Sequence, residues 1–142
     1  DVGSLRTLGT GALQALPGDT VAVLQSQIIS GSRTAAAGSG DQALTGVGFQ
    51  PVAIIVLCTS STDPINEGSW GFGDDDLDEA LMFARATPIR SSGGGQIINV
   101  SADGSNGMAA VLKSLDADGL TLTWTKSGTP TGTAEFHILA LR

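Results

Sequence analysis

The chain has 142 residues, the size of one domain, and a formal charge of −7 from 14 acidic and 7 basic residues. The basic residues are scattered, which argues against gripping a nucleic-acid backbone, and the acidic balance argues against insertion into or adhesion to anionic membranes. Cys58 is the single cysteine, so no intrachain disulfide can form, and no apolar run approaches the ~20 residues of a membrane helix.

Residues 1–19 have no sustained period: Leu5, Leu8, Leu13 and Leu16 stand between glycines, and Pro17-Gly18 ends any helical turn. We expect an N-terminal arm with two readings: a flexible lead-in, or, since the stretch is too apolar for an ideal linker, an arm whose leucines dock on a neighbouring subunit. The domain proper is expected over 20–142. Its first strand is predicted over 20–29, with Gly31 turning the chain and 33–37 pairing back weakly. Residues 38–42 read as a loop. Gly46 and Gly48 fit a bend before Pro51, and 52–58 (Val-Ala-Ile-Ile-Val-Leu-Cys) is apolar on both faces, the pattern of a central strand covered on both sides.

A polar loop over 59–68 leads to Ser69-Trp70-Gly71-Phe72-Gly73, a short strand with two aromatics on one face. The acidic run Asp74-Asp75-Asp76-Leu77-Asp78-Glu79 then admits two readings. Leu77, Ala80, Leu81 and Ala84 sit at helical spacing, but an acidic loop followed by a strand over 80–86, ended by Pro88, agrees better with the neighbouring strands. After a Gly/Ser loop over 91–95 come strands over 96–100 and 108–115, and Asp116-Ala117-Asp118-Gly119 turns tightly. The chain closes on two alternating segments, 120–125 and 133–141, predicted as a β-hairpin. Eight to ten short strands at this spacing predict an all-β fold, an antiparallel two-sheet β-sandwich, with jelly-roll and Ig-like topologies both open.

Few residues suggest chemistry. Cys58, inside an apolar run, reads as a small buried hydrophobe. The acidic cluster 74–79 lacks the spacing of a calcium loop and reads as a solvated turn guarding an edge, so neither a metal nor a cofactor is expected. His137 has no second histidine for a zinc site and no Gly-x-Ser-x-Gly elbow for a triad, and alternation with Glu135 puts it on the wetter face of the last strand. Trp124, in line with Leu120 and Leu122, belongs to the core. Trp70 is the freer aromatic, able to stack on a sugar ring. No catalytic residue is expected.

Two segments resemble a β-domain of tailed-phage and prophage particle proteins. Thr45-Gly46-Val47-Gly48-Phe49-Gln50-Pro51 before an apolar strand is similar to that domain's T-G-x-G-F-x-P opening, and 114–124 with 136–142 is similar to its closing hairpin. Ser69-Trp70-Gly71-Phe72 resembles its middle S-x-G-F segment. Leu120 stands where the family usually has Phe, and His137 where it usually has an aromatic such as Tyr. The similarity spans 43–142 and implies a non-enzymatic structural protein at the virion surface: a head-decoration, tail-fibre or tail-tip component. The expected partners are identical copies, in a homo-oligomer such as a trimer, and other virion proteins. The alternative is a module that binds host-surface glycans.

Overall fold

The computed structural model describes residues 24–60, 67–76, 78–84, 87–92, 95–101 and 105–142; for 67, 78–84, 87–92 and 101 the description is limited to the backbone. Among the described residues ten strands follow one another: β1 (Ser26–Thr34), β2 (Gly40–Thr45), β3 (Ala53–Ser60), β4 (Glu67–Asp74), β5 (Asp78–Ala84), β6 (Thr87–Ser92), β7 (Ile98–Ser101), β8 (Gly107–Asp116), β9 (Gly119–Ser127) and β10 (Thr133–Leu141). They form two antiparallel sheets, one of six strands in the order β1-β10-β3-β4-β5-β6 and one of four in the order β2-β9-β8-β7. The expected two-sheet sandwich is the fold. β1 and β10 pair in one sheet and β2 and β9 in the other; β10 also pairs with β3, and β3 to β6 and β7 to β9 are simple meanders.

Alternation explains the core. Every second residue of β3, β9 and β10 points between the sheets, and Ile54, Val56, Leu120, Leu122, Trp124, Phe136 and Ile138 are all buried there. Trp124 and Phe136 meet across the sandwich with ring centroids 5.8 Å apart. Each large side chain so enclosed contributes about 2 kcal/mol of apolar burial.

Pairing departs from expectation in five places. The closing segments form no hairpin: β9 pairs with β2 and β8, and β10 with β1 and β3. Residues 128–132 instead carry the chain from one sheet to the other, so the two apolar stripes face each other across the core. The tight turn at Ala117-Asp118 closes the β8–β9 hairpin. Gly31 does not turn the chain either. Strand β1 runs through it to Thr34, and a Cβ there would lie 2.5 Å from the Phe136 ring, so glycine makes room for the core aromatic. Ala35–Ala37 is a 3-10 turn capped by the Thr34 hydroxyl, not a returning strand.

Residues expected in a loop, Gly40 to Gln42, belong to β2. Thr87–Ser92, expected to end a strand and start a loop, is edge strand β6, where Pro88 is tolerated because an edge leaves N–H positions unpaired. Strand β3 is central in its sheet, as expected, but among the described residues it is covered on one face only: Ile55 and Leu57, on the other, are exposed. The sandwich has two layers, and β3 spends one face on the core. The strand expected after the acidic run is present as β5. The arm over 1–19 lies outside the described residues.

Candidate functional surface

The outer face of the six-stranded sheet is where the predicted site residue Trp70 stands. Register sets two rows across four strands. Ile28, Leu139, Ile55 and Phe72 form one; Ser30, His137, Leu57 and Trp70 form the next. The exposures are large for such side chains: Ile28 63%, Trp70 59%, Leu57 49%, and Ile55 and Phe72 40% each. Scattered exposed hydrophobics are ordinary, but adjoining ones in two rows make a patch.

Strand β4 holds the aromatics outward. Its inward residues are Ser69, Gly71 and Gly73, all buried and all small. Strand β7 lies close against them. A Cβ on Gly71 would stand 1.7 Å from the Ile97 carbonyl oxygen, and Ser69 Oγ accepts a hydrogen bond from the Asn99 amide at 3.3 Å. A one-residue slip would drive Trp70 and Phe72 into a space that admits only glycine. The outward aromatics therefore follow from inter-sheet packing.

The other candidates occupy structural places. His137 is exposed, and its Nδ1 shares a 2.7 Å hydrogen bond with Ser30 Oγ, its register partner on β1. Among the described residues no carboxylate hydrogen-bonds the ring, so the orienting group of a nucleophilic triad is not assembled and the pair is a cross-strand polar contact. Cys58 is buried, and desolvation pushes its thiol up to about 12, so it stays protonated and unreactive at neutral pH.

The acidic run makes the β4–β5 connection. Asp74 Oδ1 accepts a hydrogen bond from the Asp76 amide at 2.9 Å, while the side chains of Asp78 and Glu79 lie outside the described residues. Among the described residues no three His, Cys, Asp or Glu side chains gather to hold a metal ion. No helix of the described residues is long and apolar enough to cross a membrane. Leu5, Leu8, Leu13 and Leu16 also lie outside them.

The two segments that carried the family resemblance meet in space. Asp118 Oδ1 accepts from the Gly48 amide at 2.6 Å and Oδ2 from the Gly46 amide at 3.2 Å, while Gln50 Nε2 donates to the Leu115 carbonyl at 2.8 Å. The Thr45–Pro51 segment is thus buckled to the β8–β9 turn. These motifs latch the β2–β3 connection to the β8–β9 turn, with both carboxylate oxygens already engaged.

Sequence reasoning missed Ile28, Ile55 and Leu57 as surface residues. An apolar strand reads the same whether its second face meets a layer of its own chain or none. The usable signal was the neighbouring Ser-Trp-Gly-Phe-Gly, whose small residues cannot fill a core opposite their own aromatics. Compared with known protein families, curated proteins and solved structures, the chain has no match.

Proposed function

We propose that this chain is a non-enzymatic structural protein of a tailed phage or phage-like particle, a head-decoration or tail-fibre/tip component that assembles with identical copies. The observation that carries the reading is the apolar outer face of the six-stranded sheet. A flat face of Ile, Leu, Trp and Phe suits protein–protein contact, whereas small-molecule chemistry calls for a concave site with converging polar groups. The particle setting rests on the two resembling segments, and their contact through Asp118 gives a structural reason for them to occur together. Two measurements test it. The purified protein should run as an oligomer in size-exclusion with light scattering, and particles from the strain encoding it should contain the chain in many copies. A monomer at every concentration, absent from particles, overturns the reading.

One observation favours a second reading. Trp70 and Phe72 stand side by side in sequence parity on an open face, as a platform for sugar rings would. A glycan that binds the monomer and is lost on Trp70→Ala would favour that module.

A further inference from the structure

We infer that the outer face of the six-stranded sheet receives the N-terminal segment of a second copy of this chain, residues 1–23, with Leu5, Leu8, Leu13 and Leu16 covering Ile28, Ile55, Leu57, Trp70 and Phe72. The inference deepens the assembly reading above and rests on it.

The face and the segment are continuous. Gln25 and Arg142 exchange two backbone hydrogen bonds, 3.4 and 3.0 Å, which prolong the β1–β10 ladder by one residue. Leu24, 75% exposed, therefore continues the outward series of Ser26 and Ile28. The chain beyond it, 23 residues with four leucines, leaves from a corner of the patch that needs covering.

Size argues for segment exchange. Four strands about 4.8 Å apart and about 26 Å long present roughly 500 Å². A stable complex buries about 800 Å² per partner, so contact through these four strands alone falls short. An extended segment of 23 residues reaches up to ~75 Å and supplies the difference on both partners. Exchanged segments of this kind are a low-cost route to closed symmetric assemblies.

Geometry allows a neighbour. The segment continues from the edge strand β1, where the ladder ends at Gln25, and its reach is enough to carry all four leucines onto the same face of a second copy.

Trp70 reports the outcome, because Trp124 is enclosed in the core. The experiment compares the full chain with a full-length variant in which all four leucines are changed to Ser. Acrylamide quenching of Trp70 is taken as the difference from the matching Trp70→Phe protein, and mass is read by light scattering. The full chain should be oligomeric with Trp70 shielded. The Ser variant should be monomeric, several-fold more quenchable at Trp70, with Trp124 emission and melting unchanged. Dilution of the unaltered chain supplies a second measurement that needs no variant: Trp70 should become quenchable in step with the fall in mass. An oligomer that persists in the Ser variant with Trp70 still shielded overturns the segment as occupant and leaves self-assembly standing. A monomeric full chain whose Trp70 is unshielded only by the Ser changes overturns the second copy in favour of docking in cis. A monomer with Trp70 open overturns this inference and the assembly reading together.

Discussion

On the outside of the four-stranded sheet, Thr121, Thr123 and Thr125 stand along β9 beside Asp41 of β2 and Lys113 of β8. On the outside of the six-stranded sheet, Ile28, Leu139, Ile55 and Phe72 cross four strands in a row. The first face is stitched by its own polar groups. Thr123 Oγ1 donates to Asp41 Oδ1 at 2.7 Å, Lys113 pairs with the same carboxylate, and Thr121 Oγ1 donates to Asp116 Oδ2 at 2.7 Å. A register shift between Leu112 and Ser114 makes room for this, giving Lys113 the extra position of a bulge from which to reach β2. Such a face is complete against water. The second face is bounded by a polar row, Ser32, Glu135 and Thr59, but its middle carries the adjoining side chains of Ile28, Leu139, Ile55, Phe72, Leu57 and Trp70, with Ser30 hydrogen-bonded to His137. The same pleated geometry thus carries a polar, internally bonded surface on one side of the molecule and an apolar one on the other.

The largest effect that would break this contrast comes from neighbours on β3. Ile54 is fully buried and Ile55 is 40% exposed. Ile54→Asp should cost about 4 kcal/mol or more, as an unpaired charge in the core, and leave little folded protein. Ile55→Asp should melt within about 1 kcal/mol of the parent when both are monomeric, since its carboxylate keeps water. Its effect should fall on oligomer mass. If denaturant melts show Ile55→Asp as damaging as Ile54→Asp, a layer of the monomer covers that face.

Next comes Gly71→Ala. The new methyl would meet the Ile97 carbonyl at 1.7 Å, so β7 must withdraw from β4 or β4 must shift. A loss of about 3 kcal/mol is expected. Trp70 should change its emission with it, because the same packing holds that ring outward. A wild-type melting curve would mean that β7 does not set the register of β4.

Asp118→Ala should cost about 1–2 kcal/mol, since it strips two amides of their acceptor where the Thr45–Pro51 segment meets the β8–β9 turn. Amide exchange at Gly46 and Gly48 should quicken while β10 amides stay protected. Quickening throughout would make the latch a part of the global core.

How much of this was legible depends on what each residue pattern encodes. In β9 the Leu-Thr-Leu-Thr-Trp-Thr alternation names a wet and a dry face, and the structure places both as read. It says nothing of partners: β9 and β10, adjacent in sequence and alike in pattern, lie in different sheets because their apolar stripes need each other across the core. Gly31 carried an ordinary turn signal, and only the distant Phe136 ring explains why it lies inside a strand. The run from Val52 to Cys58 matched a doubly covered strand because an apolar sequence reads the same whether its second face lies beneath a layer or open. Trp70 reads as the freer aromatic and is exposed, yet the reason for its exposure sits on the opposite face of its own strand, in Gly71 against Ile97.

The smallest effect sharpens the comparison from the polar side. The hydrogen bond from Lys113 and then that from Thr123 hold the Asp41 carboxyl below its ordinary value. A carboxylate depressed in the folded state adds stability above its unfolded value, and that contribution is lost as pH falls through the folded one. The pair is exposed, so solvent and salt screen it and the gain is slight. Asp41→Asn should therefore lower the melting temperature a little at neutral pH and low salt. The difference should shrink with added salt and vanish in acid below the carboxylate range, where the parent has also lost its charge. Oligomer mass should not change under any of these conditions, because the proposed assembly makes its contact through the six-stranded sheet. If Asp41→Asn instead lowers the mass in parallel with Ile55→Asp, both outer faces take part in the contact, and the division between a solvent sheet and a partner sheet fails.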